Sequence, residues 1–152
     1  MKTLLTLATC TVLATACSAQ SQPPAPPPSS SNAVQNTLSA AERAAGWRLL
    51  FDGQTTAGWR NYGKPTISDG WKVQDGALTR TGAGGDIIST DEFKNFELSI
   101  DWKIEIGGNS GIFYRASEDS EAIYWNAVEM QVLDDAKHPD GQDRMTSAGA
   151  AY

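Results

Sequence analysis

The sequence predicts an all-β fold, an antiparallel sandwich or jelly roll preceded by one short helix, and three observations favour it. After Gly46, apolar and polar residues alternate with period two through most of the chain. Glycine-rich turns separate these stretches at intervals of about 8–12 residues, the spacing typical of all-β sandwiches and barrels. No stretch with a helical repeat lies between them, so consecutive strands are expected to pair antiparallel.

The one predicted helix lies in the stretch LSAAERAAGW, residues 38–47. Ser39 is a typical N-cap residue, and Glu42 stands three positions on, as a capping box requires. Gly46 is expected to end the helix, because glycine readily adopts the left-handed conformation that follows a helix C-terminus. The next stretch, WRLLFDG at residues 47–53, is predicted to be a short strand.

A hairpin signal predicts the next two strands. The stretch WKVQDGALTR, residues 71–80, contains two alternating runs joined by Asp75-Gly76, the pair that a type I′ turn favours. A glycine-rich loop follows at residues 82–86, and IIST at residues 87–90 is predicted to be a short buried strand.

The clearest strand signal is NFELSIDWKIEI at residues 95–106, in which every second residue is apolar. A turn leads to two more predicted strands, SGIFYRA at residues 110–116 and AVEMQVLD at residues 127–134. These strands alone would leave a sandwich with open edges, which favour aggregation. The chain, which stops at Tyr152, is therefore expected to be the N-terminal part of a longer protein.

The N-terminus predicts an export signal. Residues 1–17 contain an early lysine, a short apolar run and small residues before Cys17, which indicates a bacterial lipoprotein signal with lipid attached at Cys17. Ordinary cleavage at the A-x-A site of residues 14–16 is the alternative. Ser18 after the cysteine favours an outer-membrane lipoprotein that faces the periplasm, and secretion is the other outcome.

The rest of the chain divides into a tether and one domain. Residues 18–37 are rich in proline and serine, which predicts an extended tether without a core. Residues 38–152 are long enough for one jelly-roll domain, incomplete at its C-terminus.

Composition argues against several classes of function. Both cysteines, Cys10 and Cys17, lie in the signal, so the exported part has neither a disulfide nor a cysteine nucleophile. The net charge is −6, and without a basic patch this argues against nucleic acid as a partner. The motifs G-x-S-x-G and H-E-x-x-H are absent, which argues against a serine hydrolase and a zinc protease.

The candidate site begins on the last predicted strand. Glu129 and Gln131 are two residues apart and therefore project from the same face, and a bulge would bring Asp134 to it. The pattern is similar to the E-x-D-x-x-E strand of laminarinase-type jelly-roll glycosidases, in which carboxylates act as nucleophile and acid/base. The alternative is that Glu129 and Gln131 simply face water on the outer sheet.

His138, the single histidine of the chain, lies in the acidic loop DDAKHPDG. A histidine among carboxylates is suited to general-base chemistry, or to binding a divalent metal ion together with Glu129 and Asp135. The spacing matches no zinc motif, and an exposed acidic loop that happens to contain a histidine is the alternative.

Other side chains near strand ends are suited to holding a sugar. Arg115 could bind a hydroxyl or stabilise an enolate oxygen, and a surface ion pair with a neighbouring glutamate is its alternative role. Tyr124 and Trp125 are aromatic residues at a strand end, where sugars commonly stack, and packing at the rim of the sandwich is the alternative.

Taken together, the stretches resemble the bacterial 3-keto-disaccharide hydrolase domain family, which is described as 3-keto-glucoside lyases and hydratases. The stretches that carry the resemblance are GWRLLFDGQTTAGWR, WKVQDGALTR, GGDIISTDEFKNFELSIDWKIEIGGNSGIFYR, VEMQVLDDAKHPDG and SAGAAY. The likeness extends from about Leu38 to Tyr152. It implies a concanavalin A-like lectin/glucanase jelly roll and an exported enzyme, with further strands after the SAGAAY stretch.

The resemblance also implies a chemistry. In a 3-keto-glycoside the C3 carbonyl acidifies the C2 proton, so a base removes it, the group at C1 leaves, and water adds for net hydrolysis. From side-chain chemistry we assign Glu129 as base, His138 as its acid/base partner and Arg115 as the group that stabilises the enolate. The residues expected to bind the sugar are Gln131, Asn109, Tyr124, Trp125 and Asp134.

The expected partners follow from this chemistry. A divalent metal ion is the cofactor that Glu129, His138 and Asp135 would hold, and a separate sugar 3-oxidoreductase is expected to make the substrate. Two other functions stay open. One is a non-catalytic carbohydrate-binding jelly-roll module, and the other is a retaining glycosidase, which needs two carboxyls about 5–5.5 Å apart.

Overall fold

The computed structural model describes residues 36–152. The predicted signal at residues 1–17 and nearly all of the predicted tether at residues 18–37 lie outside the described residues. Within residues 36–152 the fold is mostly β, with small antiparallel sheets and one short α-helix, so the all-β prediction and the preceding helix are confirmed.

Helix α1 spans Ala40–Ala44. The strands of the described residues are β1 (Trp59–Asn61), β2 (Trp71–Gln74), β3 (Ala77–Arg80), β4 (Ile87–Ser89), β5 (Asn109–Tyr114) and β6 (Val128–Leu133). They form three two-stranded antiparallel sheets, in which β1 pairs with β4, β2 with β3 and β5 with β6. Two 3-10 turns lie at Ile123–Trp125 and Pro139–Gln142.

The helix has the predicted caps. The Glu42 backbone N–H donates to the Ser39 hydroxyl at 3.2 Å, and the Ser39 N–H donates to the Glu42 carboxylate at 2.7 Å. Gly46 adopts a φ of +88°, the left-handed conformation expected after the helix. Because the helix has five residues and buries none of them, its capping box contributes more to its formation than packing does.

Strands β2 and β3 form the predicted hairpin. Gln74 lies opposite Ala77 at its closed end. Asp75 and Gly76 between them have φ values of +51° and +75°, the two positive values that a type I′ turn requires.

Strand β1 is missing from the sequence prediction, and it pairs with β4, the strand predicted at IIST. Asn61 anchors this pair and is 4% exposed. Its side-chain amide donates to the carbonyl oxygens of Gly84 and Asp86, and its side-chain oxygen accepts from the Ser68 N–H at 2.6 Å. One buried asparagine therefore holds the glycine-rich loop of residues 82–86 against β1.

Strand β6 is bonded along both of its edges. One edge pairs with β5, and the other bonds to residues 149–152. Glu129 and Tyr152 exchange backbone hydrogen bonds of 3.1 and 2.9 Å, and the Gln131 N–H donates to the Ala150 carbonyl at 2.9 Å. The backbone of the SAGAAY stretch thus fixes the strand that carries the predicted site.

The small core of the described residues surrounds this strand. The buried apolar side chains of residues 36–152 are Ile123, Val132 and Leu133. Two of them are in β6, and Ile123 lies in the 3-10 turn just before it. No helix within residues 36–152 is long and apolar enough to cross a lipid bilayer.

The strand predicted at residues 95–106 does not form in the described part of the chain, and this prediction is wrong for residues 36–152. Residues 96–104 make no backbone hydrogen bond there. Alternation gives a segment one apolar face, but a strand also needs a neighbour for its N–H and C=O groups. Its apolar side chains are 42–50% exposed at four positions, Phe96, Leu98, Ile100 and Trp102. The strand predicted at residues 47–53 also lacks a partner strand.

The two kinds of apolar position are expected to respond differently to the same substitution. Leu98→Ser is expected to change the free energy of unfolding by less than about 0.5 kcal/mol, because this side chain is already half exposed. Leu133→Ser is the matched control and is expected to cost about 2–5 kcal/mol, because it removes a buried apolar side chain of β6. Urea unfolding followed by circular dichroism measures both, and equal losses would show that the face of Leu98 is covered.

Candidate active site

The β5–β6 ladder carries the central residues of the predicted site. It pairs Phe113 with Glu129 and Gly111 with Gln131, so all four lie on one face of the sheet. Asn109 begins β5 on the same face and is exposed. The alternation in the sequence therefore corresponds to one face of the β5–β6 sheet. This face carries the Glu129 carboxyl, the Gln131 amide and the exposed side chain of Asn109.

Glu129 is half-buried and lies against the backbone of the opposite strand. A Cβ built on Gly111 would overlap its carboxyl and lie 2.6 Å from its Cγ. Burial raises the pKa of Glu129, and the negative charge of Asp86 raises it further. A carboxyl with a raised pKa is a stronger base than an ordinary glutamate, which suits it to proton transfer.

Asp86 is the site residue that sequence reasoning missed. Its backbone carbonyl accepts hydrogen bonds from Asn61 Nδ2 and from the Tyr62 N–H, each 3.0 Å long. It also lines a cleft of about 290 Å³, near the lower end of small-molecule sites, whereas Glu129 does not. Asp86 lies in the loop before β4, and its charge acts on Glu129 in β6, a relation that no spacing along the chain could have revealed. The polar residues of the cleft are Asn61, Tyr62, Lys64, Ser68, Asp86 and Glu121.

Gln131 has a buried hydrogen-bond acceptor without a partner. The residue is 5% exposed, and its Nε2 donates to the Thr146 carbonyl over a long 3.5 Å. Its Oε1 is enclosed and receives no hydrogen bond within residues 36–152. An unpaired buried acceptor costs roughly 1–3 kcal/mol, so this oxygen opposes folding.

Asp134 and Asp135 are engaged with backbone groups. The Asp134 carboxylate accepts from the Gly107 N–H at 2.7 Å and from the Ala136 N–H at 3.1 Å. The Asp135 carboxylate accepts from the Ala148 N–H at 2.8 Å. Both carboxylates therefore fasten turns around β6, which leaves Glu129 as the carboxyl of this strand without a hydrogen-bond donor in the described residues.

His138 caps the 3-10 turn that follows the strand. Its Nδ1 accepts from the Asp140 N–H at 3.2 Å, which requires the neutral tautomer with its hydrogen on Nε2. The same Nδ1 lies 3.7 Å from the Asp140 carboxylate. No hydrogen bond or ion pair connects His138 to Glu129 in the part of the chain that the structure describes.

The residues predicted to hold a metal ion do not come together in the described residues. Among residues 36–152, no group of three or more His, Cys, Asp or Glu side chains is arranged to bind one. The predicted set of Glu129, Asp135 and His138 is therefore not assembled there, and the carboxylate of Asp135 is held by the Ala148 N–H.

Arg115 directly follows β5 and has a conformation that is uncommon for a residue other than glycine. Its φ is +58°, in the left-handed region. The side chain is exposed and makes no hydrogen bond or ion pair with the described residues, so the alternative ion pair with a glutamate is not formed. Its guanidinium group is free to bind an oxyanion.

Tyr124 and Trp125 form an exposed aromatic pair just before β6. The two residues are 61% and 73% exposed, and their ring centroids are 5.3 Å apart with the planes tilted by 50°. Exposed rings with polar edges offer an amphipathic stacking surface, which is suited to a sugar ring.

Polar contacts fasten the segment before this aromatic pair to β1 and to Tyr62, the residue that follows it. The Tyr62 hydroxyl donates to the Ser117 carbonyl at 2.8 Å. The Arg60 guanidinium donates two hydrogen bonds to the Glu118 carboxylate, 2.7 and 2.6 Å long. Arg60, with the Gly63 N–H, lowers the pKa of Glu118 to about 2. The bidentate geometry positions the segment even though the pair is partly open to water.

Comparison with known proteins gives three related matches. Residues 46–152 match the family described as the 3-keto-alpha-glucoside-1,2-lyase-like domain. The chain is 39% identical over 142 residues to a 3-keto-disaccharide hydrolase of Bacteroides thetaiotaomicron, a match that covers 79% of this chain and 49% of the relative. The chain thus spans about half the length of that protein.

A solved structure is similar as well. It is the crystal structure of a protein from Parabacteroides distasonis that is provisionally described as a glycosyl hydrolase. The match has a TM-score of 0.71 and 32% sequence identity, and it covers 77% of this chain and 58% of the other.

The Arg60–Glu118 pair predicts an unusually acidic glutamate. We expect Glu118 to titrate with a pKa of about 2, because the pair and the Gly63 N–H favour its charged form. The pair therefore stabilises the fold above the ordinary pKa of 4.5 and loses its effect as the pH falls towards 2. Carbon-13 NMR of the carboxyl measures the titration.

Two arginine variants test whether Arg60 lowers the pKa of Glu118. Arg60→Gln is expected to return the pKa of Glu118 towards the ordinary value. Arg48→Gln is the control, because Arg48 pairs with Asp91 and should leave Glu118 unchanged. An unaltered Glu118 titration in Arg60→Gln would contradict the assignment.

Proposed function

The chain belongs to the 3-keto-alpha-glucoside-1,2-lyase-like domain family, and from this premise we propose that it cleaves 3-keto-glycosides with Glu129 as the base. The observation that carries the proposal is the half-buried Glu129 carboxyl, whose pKa is raised by burial and by Asp86. A surface glutamate in a binding module needs neither burial nor a raised pKa. The name of the Bacteroides thetaiotaomicron relative, a 3-keto-disaccharide hydrolase, supports the substrate class.

The proposed reaction begins at the C2 proton of the sugar. The C3 carbonyl makes this proton acidic, and Glu129 accepts it while the electron pair of the C–H bond forms an enolate. The enolate electrons then form the C1–C2 double bond as the group at C1 leaves with its bonding pair and takes a proton. Water adds to C1, a proton returns to C2, and the sum is hydrolysis of the glycosidic bond.

The other residues have proposed roles that follow from their chemistry. Arg115, which is free of ion pairs in the described residues, would stabilise the enolate oxygen. Gln131, on the same face as Glu129, would orient the sugar. His138 would donate the proton to the leaving group, and Tyr124 with Trp125 would stack on the sugar. Asn109 and Asp134 would line the sugar site.

The donor set that residues 36–152 present does not fit a metal ion, because Glu129, Asp135 and His138 do not form a cluster. The enolate is therefore assigned to Arg115.

For the architecture we propose the concanavalin A-like jelly roll, to which the antiparallel pairing of the described strands is suited. A non-catalytic carbohydrate-binding module is the second candidate function, and the exposed pair of Tyr124 and Trp125 favours it. A laminarinase-type glycosidase is less well supported, because the strand has Gln131 in the middle of the motif and uses Asp134 to bind backbone N–H groups.

Replacement of the base tests the proposal directly. Glu129→Gln is expected to lower kcat on a 3-keto-glucoside by roughly 10²–10⁴-fold, because the amide cannot accept the C2 proton. With the unchanged protein in heavy water, deuterium is expected at C2 of the product. Full activity of Glu129→Gln would refute the role of Glu129, and saturable binding without turnover by the unchanged protein would favour the binding module.

The pH dependence provides a further test. Since protonated Glu129 cannot act as a base, kcat/KM should fall as the pH drops through its raised pKa. Asp86→Asn removes a negative charge, lowers the pKa of Glu129 and should move this acid limb to lower pH. Asp69→Asn, the removal of an exposed carboxylate that does not act on Glu129, is the control. An acid limb that stays in place in Asp86→Asn would show that Asp86 has no such effect.

We also propose that the chain is exported and anchored in the outer membrane by lipid on Cys17, facing the periplasm. The support is the signal-like sequence of residues 1–17 and the tether after it. Cys17→Ser is expected to abolish labelling by a fatty-acid precursor and release the protein from the membrane fraction. Cys10→Ser is the control and should keep both, and persistent labelling of Cys17→Ser would contradict the anchor.

A functional partner follows from the substrate. The C2 proton becomes acidic only after the C3 hydroxyl is oxidised to a ketone. We therefore propose that a sugar 3-oxidoreductase supplies the substrate.

A further inference from the structure

Gly111 is unusual among the glycines of the chain because no turn requires it. It lies inside β5 opposite Gln131, and its φ lies outside the positive range that favours glycine. Alanine could adopt this backbone, and glycine within a strand normally weakens it. The reason for glycine at 111 must therefore be what lies against it.

The Glu129 side chain lies directly over Gly111. A Cβ at this position would overlap the carboxyl of Glu129 and lie 2.6 Å from its Cγ. Glu129 is diagonal to Gly111 across the ladder, on the same face. Its side chain therefore crosses to β5 through the space that a side chain at 111 would fill, instead of extending into water.

We propose that Gly111 is a positioning residue, whose missing side chain lets the Glu129 carboxyl lie on β5 at the place where it meets the substrate. The proposal rests on the proposed function of Glu129. A methyl group at 111 would lift the carboxyl from the strand and expose it to water. Such a displacement changes both the geometry of proton abstraction and the environment that makes this carboxyl a good base.

The substitution Gly111→Ala tests the proposal through two readouts. The titration of the Glu129 carboxyl, followed by carbon-13 NMR and assigned with Glu129→Gln, is expected to shift towards that of an ordinary glutamate. The kcat for a 3-keto-glucoside is expected to fall by about 10²-fold with KM little changed, because the carboxyl is misplaced while the sugar contacts remain. If Gly111 mattered only for stability, Gly111→Ala would not shift the titration of Glu129 and would not lower kcat selectively.

Gly82→Ala is the matched control. Gly82 also has an ordinary φ, and a Cβ built on it meets nothing within 4 Å. This variant should keep the Glu129 titration and the wild-type kcat. A Gly111→Ala protein that also keeps both would overturn the proposal.

A double-mutant cycle covers the case in which Gly111→Ala is unstable. If the damage comes from overlap with Glu129, the same alanine should cost little stability in a Glu129→Ala background, where nothing occupies that space. Equal costs in both backgrounds would overturn the proposal. Activity of Glu129→Gln decides the proposed function separately, since the titration shift in Gly111→Ala does not depend on whether Glu129 is catalytic.

Discussion

The backbone ladder between β5 and β6 is the interaction on which the candidate site depends. It puts Glu129 and Gln131 on one face, brings Gly111 under the carboxyl and leaves the exposed Asn109 at the edge. Residues 149–152 bond to the other edge of β6 at Glu129 and Gln131, which helps to fix the register of this strand. A shift of one residue would turn Glu129 to the opposite face and remove the site altogether.

The ladder holds groups that do not favour the folded state. Burial raises the pKa of Glu129, so its charged form is less favourable in the folded chain than in the unfolded one. The contribution of Glu129 to stability is therefore greatest below the ordinary pKa of glutamate and falls as the pH rises through the raised value. The unpaired Oε1 of Gln131 also opposes folding. Two such groups on one face indicate a surface suited to binding or catalysis more than to stability.

Local signals in the sequence predicted local structure well. The capping box at Ser39 and Glu42 and the Asp75-Gly76 turn formed as expected, because each depends only on residues next to one another. The shared face of Glu129 and Gln131 was also predictable from strand alternation. The structure of residues 95–106 was not predictable in this way. Alternation shows that a segment has an apolar face, but it does not show whether another strand is there to bond to its backbone.

The part of the site that the sequence concealed depends on β1, which has a weak strand signal. Asn61 bonds to the loop of Gly84 and Asp86, while its neighbours Arg60 and Tyr62 bond to the segment that precedes the aromatic pair. Alternation along an extended backbone sends adjacent side chains to opposite sides, so three consecutive residues reach two separate loops. The same short segment thereby fixes Asp86, whose charge acts on Glu129, and the segment that leads to the stacking surface. Since these contacts join residues distant in the sequence, only the folded chain reveals them.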